Sequence, residues 1–465
     1  MRTALVLVIA LAGCGRIGFD PLAGDASGDV PPSNLRYDRV LPVYITGYAM
    51  PALTPTVTGI VTGYAIAPAL PPGMQIDPLS GVLTGTPTVA VAAAPYTVTA
   101  RNAAGQTSTT IRIRTADGYI VNDSGDVNDM TPGDATCETV TGNALCTLRA
   151  ATTEINAAGG TKNVIYIPAQ TIIVPSNLAA ALQSMELVGE ATTATILDGS
   201  TVSILSFGAN NVSLTLSYLT YRNSSTIDHN FRTGITLIVD HVLVTGCAGF
   251  AALATDGTIT MTDSTFDTNS VNVMNASTGP VTIERCSFLN NSCGVDGLLY
   301  YVFGGGSLTN STFTNNSGQA SPVVNNNATL TVAHNTFAGN TATDSSRGGA
   351  FTQYSGGTST WTNNLLANNN GPSGNCSVAG TLVSGGGNLG FPDSSSCLFD
   401  TAGDLAVDPL VRPLADNGGP TLTIALGAGS PAIDAAATAG CPATDQRGVA
   451  RPLGTACDIG AVEQQ

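Results

Sequence analysis

Charged and aromatic side chains are scarce in this chain of 465 residues, at 10% and 5% of the sequence. Basic residues are the scarcer charged group, because 16 Lys and Arg stand against 32 Asp and Glu and leave a net charge of −16. Binding to nucleic acid depends on clustered basic charge, so this balance argues against a nucleic-acid partner. A hydrophobic fraction of 43% also excludes a wholly disordered chain and is large enough for folded cores.

Residues that disfavour helices are abundant instead. The chain contains 53 Gly and 25 Pro, and Thr, Ser and Asn recur along it. All of these residues are poor in helix interiors, so long helices are not expected. The length corresponds to about three domains. We therefore predict an all-β protein that is built from several modules.

The first fourteen residues have the pattern of a secretory signal. Arg2 supplies a positive charge, residues 4–12 are apolar, and the pattern ends at Cys14. The apolar run is too short to cross a membrane. Leu-Ala-Gly-Cys at 11–14 resembles the lipobox of bacterial lipoproteins, which implies lipidation of Cys14 and anchoring in the outer membrane at the cell surface. The alternative is an ordinary secretory signal with an incidental cysteine, and in either case residues 15–39 are expected to form a flexible tether.

Export from the cytoplasm would permit disulfide bonds. Without Cys14, nine of the ten cysteines remain, and three short-range pairs are the candidates: Cys137 with Cys146, Cys376 with Cys397, and Cys441 with Cys457. Cys247, Cys286 and Cys293 lie within the repeats described below, and the sequence leaves their pairing open. No cysteines have the spacing of a zinc site, so metal ligation by thiols is not expected.

Residues 40–116 have the pattern of short strands separated by turn residues. In 96–100 and 110–114 apolar and polar side chains alternate, as they do in strands with one buried face. The stretch that contains Ile76-Asp77-Pro78-Leu79-Ser80-Gly81 and Tyr96-Thr97-Val98-Thr99-Ala100 resembles the immunoglobulin-like domains of bacterial surface proteins. The resemblance implies a β-sandwich that acts as a spacer or as an adhesive unit.

Residues 117–160 contain Cys146-Thr147-Leu148-Arg149-Ala150-Ala151, which resembles the CSLREA-type segment of bacterial surface β-helix proteins. Thr147 is a good N-cap, and Leu148, Ala151 and Ile155 share one face of a short helix. We expect this helix to cap the open end of a solenoid. Four acids of the same region are a candidate calcium site, although a solvated acidic loop is the favoured interpretation: Asp123, Asp126, Asp129 and Asp134.

Residues 161–375 contain seven repeats, each with an apolar anchor, a second anchor five residues later and a polar residue three positions beyond. The first anchors are spaced 22 to 29 residues apart, which is typical of a solenoid: Leu216, Val239, Met261, Ile283, Leu308, Val332 and Trp361. Strand-type alternation without helices favours a parallel β-helix. The pattern resembles the right-handed β-helix of the pectin-lyase-like superfamily, which includes polysaccharide lyases and hydrolases as well as adhesins.

Identical positions of successive coils stack about 4.8 Å apart, so like side chains should form ladders. The second anchors Phe266, Phe288, Phe313 and Phe337 are expected to stack inside the coil. The polar position is asparagine in five repeats, and we expect it in the turn with a left-handed backbone: Asn269, Asn291, Asn316, Asn340 and Asn369.

Two positions after each first anchor lies a row of outward or turn residues, named here the stripe: Tyr218, His241, Asp263, Arg285, Asn310, His334 and Asn363. His241, Asp263 and Arg285, with the neighbouring Glu284, are the candidate catalytic group, because cleavage of a polysaccharide needs acid–base groups or a calcium site with a base. The favoured interpretation is charge pairing between coils on a solvated face. Whether the chain is an enzyme is left open by the sequence.

Residues 376–465 follow the repeats and are rich in loops. Asp408-Pro409-Leu410, Gly429-Ser430-Pro431-Ala432-Ile433-Asp434 and Asp445-Gln446-Arg447-Gly448 resemble the choice-of-anchor Q domain of bacterial surface proteins. The resemblance implies a C-terminal cap. Its acids and arginines are expected to form a structural network: Asp434, Asp445, Arg447, Arg451 and Asp458.

The sequence thus predicts an all-β chain in which a small immunoglobulin-like β-sandwich precedes a right-handed parallel β-helix solenoid, with a capping helix and a loop-rich C-terminal cap. The expected function is structural or adhesive, in a surface protein that is anchored to the membrane by lipid and binds an extracellular polysaccharide or a cell-surface partner. The alternative function is a polysaccharide lyase or glycoside hydrolase. Apart from calcium, no cofactor is expected.

Overall fold

The computed structural model describes residues 30–464 apart from 161, 226, 228–232, 249–250, 254–256, 271–272, 277, 302, 326 and 439; the side chains of 251–253 and 276 are also left out of the description. The predicted signal, Cys14 and most of the predicted tether therefore lie outside the described residues. No helix in the described part is long and apolar enough to span a membrane. Nearly all regular structure in these residues is strand, with one α-helix, so the predicted fold class is confirmed.

The small domain, residues 30–116, begins earlier than the sequence predicted. Its strands are β1 (Ser33–Arg36), β2 (Tyr44–Ile45), β3 (Thr56–Thr58), β4 (Gly63–Ala67), β5 (Met74–Ile76), β6 (Leu83–Gly85), β7 (Val91–Asn102) and β8 (Gly105–Ala116). The main sheet has the order β2, β8, β7, β4, while β1 pairs with β3 and β5 with β6. Part of the predicted tether is folded because Leu35 of β1 is buried in the core of this domain.

The solenoid, residues 118–391, contains the other strands of the described residues except two, which lie in the C-terminal segment. It begins with β9 (Gly118–Ile120), α1 (Leu148–Ala158), β10 (Val164–Ile167), β11 (Thr171–Ile173), β12 (Met185–Gly189), β13 (Ile196–Asp198), β14 (Ser213–Arg222), β15 (Thr236–Thr245), β16 (Ala251–Leu253), β17 (Thr258–Thr262), β18 (Thr265–Asp267), β19 (Met274–Ala276) and β20 (Val281–Glu284). It continues with β21 (Ser287–Leu289), β22 (Ser292–Cys293), β23 (Leu299–Tyr301), β24 (Gly305–Thr309), β25 (Thr312–Thr314), β26 (Ser317–Gly318), β27 (Val323–Asn325) and β28 (Thr329–Ala333). The last coils hold β29 (Thr336–Ala338), β30 (Thr341–Ala342), β31 (Phe351–Gln353), β32 (Thr358–Thr362), β33 (Leu365–Ala367), β34 (Cys376–Val378), β35 (Thr381–Ser384) and β36 (Leu389–Phe391).

Successive coils stack these strands in parallel on three faces. Face one contains β9, β10, β12, the first halves of β14 and β15, and then β17, β20, β24, β28, β32 and β35. Face two contains β11, β13, the second halves of β14 and β15, and β18, β21, β25, β29, β33 and β36. Face three contains β16, β19, β23, β27, β31 and β34, and a short sheet of β22, β26 and β30 lies between faces two and three. The coils extend beyond residue 375, where the sequence prediction ended the solenoid.

A ladder of aromatic rings fills the interior, as the sequence predicted. The rings of Phe266, Phe288, Phe313 and Phe337 stack with centroid distances of 4.9, 4.5 and 4.7 Å, and all four side chains are fully buried. Trp361 continues the stack from Phe337 at 5.8 Å. Since one apolar cluster runs from the N-terminal cap to Phe399, the solenoid has a single continuous core.

The predicted asparagines also form a ladder, but not in the backbone conformation that we expected. The left-handed residue of each turn is the preceding one, for example Asn290 (φ 52°) and Asn315 (φ 55°). The ladder asparagines, named the Asn ladder (Asn269, Asn291, Asn316, Asn340 and Asn369), point inward and are buried. Each of the first four donates its amide to the side-chain oxygen of the next, at 2.8 to 3.0 Å. Burial with mutual hydrogen bonding, rather than tolerance of left-handed backbone, therefore explains asparagine here.

The helix α1 covers the N-terminal end of the solenoid, and its predicted N-cap and buried residues occupy the expected positions. The Thr147 side chain accepts a hydrogen bond from the Ala150 backbone amide at 3.0 Å, and Leu148, Ala151 and Ile155 are buried. A residue that the sequence did not single out, Glu154, is fully buried on the same helix and accepts the backbone amides of the preceding loop. The helix thus covers the core and also orders the loop that leads to it.

The C-terminal segment, residues 408–464, is not an end cap but lies along the side of the solenoid. Its strands β37 (Val411–Ala415) and β38 (Thr423–Leu426) are antiparallel. Ile424, Leu426 and Ile459 share an apolar cluster with outward side chains of face two, among them Leu365 and Leu389. The far end of the solenoid is covered by residues around Phe399, which belong to the predicted cap of residues 376–465; the Phe399 ring lies 6.0 Å from that of Trp361.

The small domain packs directly on the outer side of face one. Val164, Tyr166 and Val188 of the first coils belong to the core cluster of that domain. Arg114 of β8 forms a bidentate pair with Glu186 of β12, with both N···O distances at 2.6 Å. The domain is therefore packed against the solenoid through apolar contacts and an ion pair.

Candidate functional site

The stripe occupies the corner between faces one and two. All seven residues have a left-handed backbone, with φ between 49° and 59°. Asn, Asp and His are the residues that tolerate this conformation best among those with a side chain, and five of the seven positions carry one of them. Tyr218 and Arg285 are the exceptions, so contacts of their side chains must compensate for the backbone cost.

The C-terminal segment covers one half of the stripe. The Asn310 side-chain amide donates to the Thr444 carbonyl at 2.9 Å, and the Asn363 side chain bonds both the amide and the carbonyl of Ala437. His334, between these two, is fully buried. The remaining half, Tyr218 to Arg285, is left partly open, so the covering segment determines which part of the corner a ligand can reach.

Two adjoining clefts flank the open half of the stripe, and Tyr218 lines both. The first cleft, about 490 Å³, lies between the small domain and the solenoid, and its charged lining residues are Arg36, Arg112, Arg114 and Glu190. The second cleft, about 580 Å³, continues past His241 and Asp263 to Pro420 and Leu422 of the C-terminal segment. Both volumes fall within the range of ligand sites in proteins, roughly 300–1,000 Å³.

Tyr218 and His241 form a stacked pair on the floor of the second cleft. Their ring centroids are 4.8 Å apart, with an interplanar angle of 19°. His241 Nδ1 lies 3.1 Å from Asp240 Oδ1, which also accepts a 2.7 Å hydrogen bond from the Thr262 hydroxyl. Burial lowers the pKa of His241, but the nearby carboxylates of Asp240 and Asp263 outweigh it and leave the pKa above its ordinary value. These carboxylates therefore favour the protonated imidazole.

Arg285 is held by two carboxylates. Its Nε and Nη2 each lie 2.8 Å from one oxygen of Asp263, and its Nη1 lies 2.5 Å from Glu284. The hydrogen bonds that Arg285 donates to Asp263, together with the negative charges of Asp263 and Glu284, raise the pKa of Arg285. The two carboxylates therefore favour the protonated guanidinium, which fixes the position of Asp263.

One cluster in the described residues has the composition of a cation site. The ligand atoms of Asp240, His241 and Asp263 all lie within 4.8 Å of one another. Asp263 is already engaged by Arg285 and Asp240 by Thr262. The set therefore brings acid–base groups together. Most of its carboxylate oxygens, however, already accept hydrogen bonds from Thr262 and Arg285.

The four acids of the predicted calcium site are not brought together. Asp126 forms a bidentate pair with Arg149 at 2.7 and 3.0 Å. Asp123, Asp129 and Asp134 each accept the backbone amide of the residue two positions later. Their carboxylates stabilise turns of the loop before α1, and Asp129 is buried there.

His334 is a stripe residue that is buried beneath the C-terminal segment. The Asn363 amide orientation is fixed by Ala437, so its Nδ2 donates to His334 Nε2 at 3.0 Å and the imidazole must accept. Burial first, and then the charge of Arg451, lower the pKa of His334 to about 3. This histidine is neutral and buried, whereas His241 lies in the open half and lines the second cleft.

The structure joins Cys137 to Cys146, Cys376 to Cys397, and Cys441 to Cys457, which are the three candidate pairs. Cys247, Cys286 and Cys293 are free and buried. Burial raises the pKa of the Cys247 thiol to about 11 and those of Cys286 and Cys293 to about 12. Since the thiolate is the reactive form, these three cysteines act as small core residues.

The stripe residues of the site could be predicted from the repeat, whereas the lining residues from other parts of the chain could not. The stripe emerged from the repeat, which brings His241, Asp263, Glu284 and Arg285 together as expected. Arg112, Pro420 and Leu422 belong to other parts of the chain and have no periodic signal. Their position depends on how the small domain and the C-terminal segment pack, which no local pattern encodes.

Solved structures of other proteins resemble the chain at low similarity. The A-module of the mannuronan C-5 epimerase AlgE6 from Azotobacter vinelandii is 13% identical, with a TM-score of 0.24 over 59% of this chain and 100% of that chain. The catalytic domain of a GH87 alpha-1,3-glucanase in complex with nigerose is 12% identical, with a TM-score of 0.26 over 73% and 85%. For a putative alpha-galactosidase from Bacteroides fragilis NCTC 9343 the values are 16% and 0.16, over 29% of this chain and 28% of that chain. Likeness at this level says nothing about what this chain binds.

Family models match two parts of the chain. None of the curated proteins compared with it matches. Residues 33–116 match the family model described as Putative Ig domain, in agreement with a domain start at β1. Residues 207–370 match the model described as right handed beta helix region. The chain therefore combines an immunoglobulin-like domain with a right-handed parallel β-helix.

Proposed function

We propose that this chain is an exported protein of the cell envelope, anchored by lipid at Cys14, that binds an extracellular polysaccharide along the open half of the stripe. The observation that carries the binding proposal is the pair of clefts that meet at Tyr218. Together they provide an elongated site rather than a closed pocket, which suits a polymer. Family resemblance to right-handed β-helix proteins of the pectin-lyase-like superfamily supports the same ligand class.

The chemistry of the floor also suits a carbohydrate. An aromatic ring offers an apolar face to a sugar and a hydroxyl at its edge, and Tyr218 lies where the two clefts join. His241 and Asp263, which line the second cleft, add polar groups that can bond sugar hydroxyls. The half-buried Tyr218 is held by its stacking on His241, so the site is formed before a ligand arrives.

Replacing Tyr218 by Asn should weaken polysaccharide binding about tenfold, because an aromatic contact contributes about 1 kcal/mol or more beyond area burial. Asn is chosen because Asn310 and Asn363 occupy the same left-handed position elsewhere in the stripe. The measurement is titration calorimetry of the purified mature protein against a panel of acidic and neutral polysaccharides. Tyr48→Asn removes an exposed tyrosine that lines neither cleft, and it should bind as the wild type does.

A second candidate function, acid–base cleavage of the bound polymer, is favoured by one specific observation. His241 is paired with Asp240 in the cleft and lies beside Asp263, so proton donors and acceptors converge where a glycosidic bond would lie. Cleavage would release new reducing ends or unsaturated products from the polymer that binds, and Asp263→Asn should abolish that release. Binding by the wild type without any products would leave the binding function and exclude this second candidate.

The lipid anchor has its own test in cells. Cys14→Ser should move the protein from the membrane fraction to the soluble fraction, because the acyl chains would no longer be attached and each buried CH₂ contributes about 0.8 kcal/mol. Incorporation of labelled fatty acid into the wild type, and its loss in the variant, measures the modification directly. Protease treatment of intact cells then tests exposure at the cell surface. A wild type that takes up no label would contradict the anchor without affecting the binding proposal.

A further inference from the structure

The first cleft concentrates positive charge in an acidic protein. Three of the 16 basic residues of the chain, Arg36, Arg112 and Arg114, line it, against a single acidic lining residue, Glu190. The whole chain carries a net charge of −16. A local excess of arginine in such a chain is not explained by solubility, which acidic residues already provide.

The arginines of the first cleft differ in how far their charges are already paired. Arg114 is bidentate with Glu186, and the Arg36 Nε lies 2.8 Å from Asp38. Arg112 has no acidic partner among the described residues; its Nη2 donates to the Ala93 carbonyl at 3.3 Å. A guanidinium has five N–H donors in a planar fork that fits a carboxylate or sulfate. Arg112 therefore retains most of its capacity to bind an anion.

The two clefts differ in charge along the length of the site. The second cleft carries Asp263 and Asp267, and among its lining residues only His241 can become positive. An anionic group is repelled there and attracted at the small-domain end, because the arginine charges of the first cleft attract anions. Tyr218 lies at the boundary between the two environments.

We propose that the first cleft is a subsite for an anionic group of the polysaccharide, and that Arg112 of the small domain binds this group. The inference rests on the proposed function, because it concerns one end of the same site. It assigns to the immunoglobulin-like domain a direct part in ligand recognition. The ligand class is a polymer with carboxylate or sulfate groups, and both anions fit the guanidinium fork.

The test is calorimetry of the mature protein with polygalacturonate, which carries carboxylates, with dextran sulfate, which carries sulfates, and with uncharged dextran. Arg112→Gln keeps a polar side chain on β8 but removes the charge, and affinity for the acidic polymer should fall at least tenfold. Raising the salt concentration should weaken wild-type binding more than binding by the variant. Arg101→Gln is the matched control, because Arg101 is an exposed arginine on β7 outside both clefts.

The outcomes separate this inference from the proposed function. Preference for polygalacturonate identifies a carboxylate subsite, and preference for dextran sulfate identifies a sulfate subsite; either supports the inference if Arg112→Gln abolishes the preference. Equal binding of uncharged dextran, or wild-type affinity of Arg112→Gln while Tyr218→Asn is impaired, overturns the inference and leaves the proposed function standing. If no polymer binds the wild type, or if Tyr218→Asn binds like the wild type, the proposed function itself is wrong.

Discussion

Replacing Asn316 by Ala is expected to destabilise the solenoid by about 3–6 kcal/mol. The Asn316 side chain donates to the Phe288 carbonyl and the Asn340 side-chain oxygen, both at 2.9 Å. It also accepts the backbone and side-chain amides of Asn291, at 3.0 and 2.9 Å. Alanine would leave two buried donors on Asn291 unpaired, each at a cost of about 1–3 kcal/mol, and would remove the side-chain donor to the Phe288 carbonyl and to Asn340.

The effect should be measured by urea unfolding with the fluorescence of Trp361, the single tryptophan of the chain, which is buried in the solenoid core. Asn315→Gly is the matched control: Asn315 is the adjacent residue, is exposed, and has a left-handed backbone that glycine adopts freely. It should change stability by less than about 1 kcal/mol. Equal destabilisation by both variants would show that the turn itself, and not the Asn ladder, stabilises the coils.

Arg451→Met is expected to release the C-terminal segment from the side of the solenoid. The Arg451 side chain is fully buried and donates to Glu463 Oε2 at 3.0 Å and to the carbonyls of Asp458 and Gly460 at 3.0 and 2.8 Å. Removing one partner of a buried ion pair costs about 3–5 kcal/mol, because the other charge remains buried. That penalty is large for a segment that is held by one small apolar cluster and by hydrogen bonds to the solenoid.

Limited proteolysis and hydrogen exchange should show this release as faster cleavage and exchange within residues 408–464, while Trp361 fluorescence stays native. Arg412→Met provides the control, because Arg412 belongs to the same segment but is exposed. Global unfolding of Arg451→Met together with the solenoid would contradict a separately stabilised segment. Unchanged exchange in the variant would show that the buried pair contributes nothing to docking.

Periodic features of the fold could be predicted from the sequence, because each coil repeats the same physical requirement. The phenylalanine ladder follows from the spacing of the second anchors, and α1 follows from Thr147 as N-cap with Ala151 and Ile155 on one face. The Asn ladder shows the limit of this reasoning. Asparagine suits both a left-handed turn and a buried hydrogen-bonded stack, and the sequence alone does not distinguish Asn315 from Asn316 in these roles.

The candidate site could be predicted only in part, for a different physical reason. The repeat aligns His241, Asp263 and Arg285, but whether this corner is open depends on tertiary packing. Nothing in the local sequence around Leu35 or Arg114 indicates that the small domain packs against the solenoid. Likewise, nothing around Leu426 indicates that the C-terminal segment folds back along face two. These contacts join parts of the chain that are distant in sequence. They bury His334 and leave His241 accessible, although both belong to the same stripe.

Hydrogen exchange of the wild type, with and without the polysaccharide that binds it, tests the central claim most directly. We predict slower exchange on binding in residues 217–219, 240–243 and 262–265, which form the open half of the stripe, and in 110–114 of β8. Exchange on the outer surface of face three should not change. Protection confined to face three, or to the covered residues around His334, would contradict a ligand site between the small domain and the C-terminal segment.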